Sequence, residues 1–154
     1  MQLTPEMIEK MRAIGLRLDR TGTFWQEGAA VTHVRLRQAL LRWLDVRAED
    51  GRDIIRLDDK RYAYVEVEDA HLRAKSARWD GEHCFVLWDD DEERELDYAS
   101  LRQAEDHAFY ARVGKLRGRI AGPSYHALAE RVVERGEGFE LAAAGARWPI
   151  VDAA

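Results

Sequence analysis

The stretch RYAYVEV, residues 61–67, limits what this chain can fold into. Ala63, Val65 and Val67 fall on one side, and Tyr62, Tyr64, Glu66 and, next along, Glu68 fall on the other. A period of two matches a strand with one face on a core; a helical period of 3.6 cannot separate these residues. The apolar run DIIRL precedes it through Asp58-Asp59, and Asp80-Gly81 supplies a strong two-residue turn signal further on. Pairing across that turn sets Trp79 against Glu82, Ala77 against Cys84 and Arg73 against Trp88. Three consecutive strands with short connections predict an antiparallel meander.

Helices are expected around this sheet. Thr4, Pro5 and Glu6 make a helix start, and Met7, Met11, Ile14 and Leu18 make one stripe at helical spacing. The segment TFWQEGAAV reads as two short strands about Glu27-Gly28, followed by a helix capped by Thr32. Its buried face is expected to be Leu36, Leu40, Trp43 and Leu44, packed on Val65 and Val67. The stretch FYARV has a strand pattern, and ASLRQAEDH fits a helical turn or a loop. A last helix opens near Pro123-Ser124, carries Tyr125, Leu128, Val132 and Val133, and ends at Gly136. FELAA and RWPIV form a hairpin around Gly145, with Pro149 suited to an edge strand. The pattern predicts an α+β fold of antiparallel meander sheets with flanking helices. The expected division is an N-terminal helix over residues 1–21, a half over 22–69 and a half over 70–154.

The chain has 154 residues and a formal net charge of −5. That sign argues against a protein that coats nucleic acid by releasing counterions. The apolar runs are too short for a transmembrane helix, and the N-terminus lacks signal-peptide features. The single cysteine, Cys84, makes the cytoplasm the expected location. The acidic run WDDDEERELD, Trp88 to Asp97, reads as a solvated hairpin tip, because its spacing is not that of a calcium loop.

No familiar catalytic constellation is legible. The Cα atoms of Glu66 and Glu68 stand about 6.5–7 Å apart on one strand face, whereas paired glycosidase acids work from opposite sides of a bond. Asp69 ends that strand, where loops and ligands meet. The five histidines and Cys84 lack metal-ligand spacing, so neither metal nor cofactor is expected. Cys84 reads as a small core residue. VGKLRGRIAGPS interleaves three glycines with Lys115, Arg117 and Arg119 ahead of a helix start. It is the best anion-site candidate in the chain, read as a basic loop.

The order of these motifs resembles the bacterial domain-of-unknown-function family 1285. The likeness is carried by GTFWQEGAAV before a helix, then RLDDKRYAYVEVEDAHLRA, FYARVGKLRGRIAGPSYHALAE and FELAAAGARWPI. A weaker likeness, in the hairpin–helix–meander order, is to uncharacterised protein family 0598. The chain departs from the first family at Ala70-His71, where a proline usually follows the V-E-D motif, and at RIAGPSY, which stretches an arginine–proline junction.

The resemblance implies two duplicated α+β halves, the second superficially like a pleckstrin-homology fold, and no established enzymatic activity. It also implies a small-molecule, nucleotide-like site between the halves, drawing on Arg61, Glu66, Asp69, Arg119 and Tyr125. The leading expectation is a non-catalytic ligand-binding or regulatory protein with an anionic small-molecule partner, a homodimer being left open. The alternatives are a hydrolase or transferase acting through Asp69 or Glu66 with Arg119, and an acidic protein–protein adaptor docking through residues 89–97.

Overall fold

A computed structural model describes residues 4–6 and 12–153. The chain divides into two compact units, Met1–His71 and Leu72–Ala154. Among the described residues it is a mixed α+β protein, mainly sheet.

The first unit holds β1 (Leu16–Leu18), β2 (Phe24–Gln26), β3 (Ala29–Ala30), α1 (Val34–Trp43), β4 (Leu44–Val46), β5 (Asp53–Arg56) and β6 (Tyr62–Val67), the strands ordered β3-β2-β1-β6-β5-β4. The β2–β3 hairpin turns at Glu27 and Gly28, both with positive φ (49° and 84°), as a type I′ turn requires. Strands β4, β5 and β6 form an antiparallel meander, in which the β5–β6 pair was expected and β4 was not, and β6 also takes β1 as a parallel neighbour. The core gathers Leu18, Phe24, Leu41, Ile54 and Val65.

Several expectations fail here. Leu18 lies on a strand, so the proposed stripe does not belong to one helix; Met7 and Met11 lie outside the described residues. The cap of α1 is His33, whose Nδ1 accepts from the backbone N–H of Leu36 at 3.2 Å, and not Thr32. Its buried row is Leu41 with the following Leu44, while Leu36 and Trp43 are exposed and α1 packs mainly on β5. Arg37 decides the rotation: its Nε donates to the carbonyl of Gly22 at 2.9 Å, turning the Arg37–Leu41–Leu44 row inward. Tyr64, assigned to the wet face of β6, is buried beneath arginines. The Arg52 guanidinium lies 3.4 Å from its ring centroid, and Arg47 donates to its hydroxyl.

The second unit holds β7 (Leu72–Asp80), β8 (His83–Trp88), β9 (Glu93–Glu95), a 3₁₀ turn (Tyr98–Ser100), β10 (Arg102–Gln103), β11 (Phe109–Val113), β12 (Leu116–Ile120), α2 (Pro123–Ala129), β13 (Val132–Arg135), β14 (Gly138–Ala143) and β15 (Ala146–Asp152). The strands run β13-β14-β15-β10-β11-β12-β7-β8-β9. The sheet curls until the β14–β15 turn reaches the β7–β8 turn, where the Ala144 N–H donates to the Glu82 carbonyl at 2.7 Å. Trp88, Phe109, Leu72, Leu101, Ile120, Leu128 and Leu141 fill the interior.

Strand β7 does not continue the β5–β6 meander; it belongs to this second sheet, beside β12 in parallel. Its hairpin register with β8 also differs by one residue, setting Asp80 against His83 and Trp79 against Cys84, with an irregularity between Ala74 and Ser76. The turn centres on Gly81-Glu82, with positive φ at Gly81 (61°) and not at Glu82, the type II′ pattern rather than the Asp-Gly one. Helix α2 ends at Ala129, and Val132 and Val133 belong to β13, because β14 offers a pairing edge there. Strand β15 is not an edge strand: β10 pairs with it at Val151 and Asp152, past Pro149.

The acidic run is not merely solvated. Asp89 and Asp90 are buried, Arg73 Nε meets Asp89 at 2.8 Å, Arg94 Nη2 meets Asp90 at 2.7 Å, and Lys75 and Arg78 on β7 meet Asp91 and Glu93.

Candidate functional site

The basic segment after Gly114 is a strand, not a loop. Gly114 turns the β11–β12 hairpin with φ 62°, Gly118 faces the interior, and Gly122 precedes α2. All three glycines serve the backbone or the packing. Since Gly118 and Ile120 point inward, Arg117 and Arg119 must point outward. On β11 the same alternation buries Phe109, Ala111 and Val113 and turns Tyr110 and Arg112 outward.

Register then assembles one face from four strands. Arg102 of β10, Tyr110 of β11, Arg119 of β12 and Arg73 of β7 lie in one row, through the pairs Arg102↔Tyr110, Tyr110↔Arg119 and Arg119↔Arg73. In the next row Arg112 stands directly opposite Arg117. Like charges at opposite positions destabilise a pair of strands unless other groups offset them.

A hollow of about 620 Å³ opens at this place, lined by Arg102, Arg112, Lys115 and Arg117 together with Asp97, Ser100 and Tyr110. Four of its lining residues are basic and one is acidic, in a chain whose overall charge is −5. Arg102 and Arg112 have no ion-pair partner among the described residues. The 3₁₀ turn supports the wall: the Ser100 hydroxyl donates to the Asp97 carbonyl at 2.8 Å and accepts from the Arg112 N–H at 2.8 Å.

A smaller hollow of about 170 Å³ lies beside Arg119 and is lined also by Asp106, His107, Gly122 and Tyr125. Arg119 donates through Nη1 to the Tyr110 hydroxyl and through Nη2 to Asp106, each at 2.7 Å. The Arg119 hydrogen bond holds the Asp106 carboxyl below its ordinary value, and Asp106 in turn strengthens the hold of Arg119 on its proton. Tyr125 stacks on Phe109 with ring centroids 4.9 Å apart. Arg119 thus joins the two hollows through Tyr110.

Of the five residues expected to bind a ligand, Arg119 and Tyr125 meet in this smaller hollow. The other three lie in the first unit at separate places. Arg61 is exposed in the turn after β5 and pairs with Asp58 at 2.6 Å. Glu66 is exposed on β6 and lines a hollow of about 420 Å³ with Arg52, Asp53 and Tyr64. Asp69 is half-buried in the stretch that leaves β6. Glu68, paired with Glu66 in the sequence, is held by Arg17 at 2.5 Å.

Arg102, Tyr110 and Arg112 were not among the expected site residues. Their signal is present, since FYARV and LRGRI each alternate apolar or small residues with Tyr or Arg. Reading LRGRI as a loop concealed that both basic alternations share a face. No cluster of three His, Cys, Asp or Glu among the described residues could hold a metal ion.

No family model matches the sequence, and no curated protein matches it. Two solved structures do match in fold. A DUF1285 family protein from Silicibacter pomeroyi DSS-3 superposes with a TM-score of 0.75 at 16% identity, covering 91% of this chain and 81% of that one. A DUF1285 family protein from Shewanella baltica OS155 superposes with a TM-score of 0.63 at 14% identity, covering 77% of this chain and 93% of that one. The fold is that of these DUF1285 proteins. At such identities the likeness carries architecture alone, and a DUF1285 fold does not name a ligand. The likeness to uncharacterised protein family 0598 gains no support from these matches.

Proposed function

We propose that the protein binds a small anionic, nucleotide-like molecule without transforming it, and that the arginine face of the C-terminal unit is the binding surface. One observation carries this reading: Arg112 and Arg117 oppose each other beside Arg102 and Lys115 around one hollow of an otherwise acidic chain. An anion in this hollow would accept charge-assisted, forked hydrogen bonds from arginine guanidinium groups. Tyr110 and Tyr125 add aromatic surface for a flat ring. A buried, unpaired Cys84 supports a reducing compartment, and we place the protein in the cytoplasm.

The acidic adaptor reading is weaker, because Arg73, Lys75, Arg78 and Arg94 already meet the carboxylates of Asp89–Glu93 within the unit. The test is a thermal-shift screen of mononucleotides, dinucleotides and cyclic nucleotides against the intact chain. Binding to the native state raises stability by about 2.7 kcal/mol at a hundredfold excess over Kd. The shift should vanish in Arg112→Ala and shrink in Arg119→Ala. Arg61→Ala, Glu66→Gln and Asp69→Asn test whether the first unit contributes. No shift with any anion sinks the proposal, and phosphoester turnover lost in Asp69→Asn would replace binding by catalysis.

A further inference from the structure

We propose that the first unit carries a ligand site of its own, which takes a small zwitterion of the amino-acid class. Arg52 receives the carboxylate of that molecule and Glu66 its ammonium group. The proposal does not rest on the arginine face of the other unit, and either can fail alone.

A hollow of about 420 Å³ holds both residues, with Ile14, Gly51, Asp53 and Tyr64 in its lining. Small-molecule sites have volumes of about 300–1,000 Å³. Two opposite charges share this one, and neither is neutralised. The Arg52 guanidinium lies 3.4 Å from the Tyr64 ring centroid, and its nitrogens make no hydrogen bond or ion pair with any described residue. The Glu66 carboxylate has no partner among the described residues either.

The charges beside them are already engaged. Asp53, the third charged residue of the lining, is held by His71 at 2.7 Å. Arg47 donates to the Tyr64 hydroxyl and meets Glu49 at 3.3 Å. Arg17 stands next to Glu66 in the β1–β6 register but reaches Glu68 instead.

Exposed charges need no protein partner, because water solvates them. The signal is that these two share a hollow and are kept apart. Stacking on Tyr64 holds Arg52 away from Glu66 and leaves its N–H fork for a carboxylate. An arginine ordered before its ligand arrives loses little freedom on binding. A lone anion in the hollow would be repelled by Glu66, and a lone cation by Arg52. A molecule carrying both signs satisfies the two residues at once, so the same pair of charges selects for it and against the others.

The experiment is calorimetric titration of the intact protein at constant ionic strength. The probes are the common α-amino acids, γ-aminobutyrate and aminohexanoate, which separate their two charges by increasing lengths, with acetate and butylamine as single-charge probes. At least one zwitterion should bind about tenfold or more tightly than either single-charge probe, as one added charge-assisted hydrogen bond allows. Arg52→Ala and Glu66→Gln should each remove that advantage; both residues are exposed, so wild-type melting temperatures are expected of the variants. Arg35→Ala, which deletes an exposed charge of α1, should leave it unchanged. The site is overturned if no zwitterion has this advantage, if the advantage survives Arg52→Ala or Glu66→Gln, or if Arg35→Ala removes it equally. In each of those cases the anion-binding face still stands or falls by its own nucleotide screen.

Discussion

The ring of Trp88 lies directly over Gly118, so that a Cβ at residue 118 would overlap its Cη2 and Cζ3 atoms and come within 3.0 Å of Val113 Cγ2. Trp88 is almost fully buried at the end of β8, and Gly118 is the inward position of β12 between outward-facing Arg117 and Arg119. The missing side chain lets the indole fill the space beneath the strand that carries both arginines.

Gly118→Ala should therefore destabilise the second unit, although alanine ordinarily suits a strand no worse than glycine. Overpacking of a closed core costs about 1–3 kcal/mol. Chemical denaturation would show it as a lower midpoint. An unchanged midpoint would mean that the ring has somewhere else to go.

The rotation of α1 is open to a paired test. Leu41 is 1% exposed and Leu36 is 45% exposed. Leu41→Ala should cost about 2–5 kcal/mol, and Leu36→Ala no more than about 0.5 kcal/mol. Equal losses from the two variants would contradict the observed face.

Asp19 gives a pH signature. Its carboxylate accepts from the Thr21 N–H, the Thr21 hydroxyl, the Thr23 N–H and Trp25 Nε1, at 2.7–2.9 Å. Burial alone would raise its pKa, but these four donors outweigh it and hold the carboxyl well below its ordinary value. A depressed folded-state pKa gives stability that is complete above the unfolded carboxylate value, about 3.9, and is lost as pH falls from there toward the folded value. The stability difference between wild type and Asp19→Asn should thus be constant at neutral pH and narrow below about pH 4. A difference independent of pH down to 2 would exclude this role.

Cys84 is fully buried, and desolvation pushes its thiol up to about 11, against a smaller opposing pull from Arg131. Only the thiolate attacks. At pH 8 a thiol reagent should therefore label the native protein at least about a hundredfold more slowly than the denatured chain, whose cysteine has an ordinary pKa. Equal rates would show that β8 opens freely.

Much of the architecture was legible in the sequence because short-range sterics determine it. Glu27-Gly28 and Ala144-Gly145 turn as hairpins, since positive φ at both central residues favours a glycine there. The alternation of β6 predicted a strand, and the burial of Cys84 followed from an apolar alternating context. Long-range pairing was not legible. The segment RVVER has helical spacing in isolation, yet it becomes β13 because the β14 edge takes up its backbone hydrogen bonds. Nothing local tells β7 to pair with β12, some forty residues later in the chain.

The same division governs the candidate site. The sequence by itself determined which residues carry positive charge and, through a period of two, that Tyr110 and Arg112 share a face, as do Arg117 and Arg119. The tight β11–β12 turn set those two pairs side by side with Arg112 against Arg117, and only the tertiary structure added Arg102 from β10 and Arg73 from β7. The reason is physical: the side a residue faces follows from its own backbone dihedrals, whereas its neighbour across a strand follows from which distant backbone completes its hydrogen bonds.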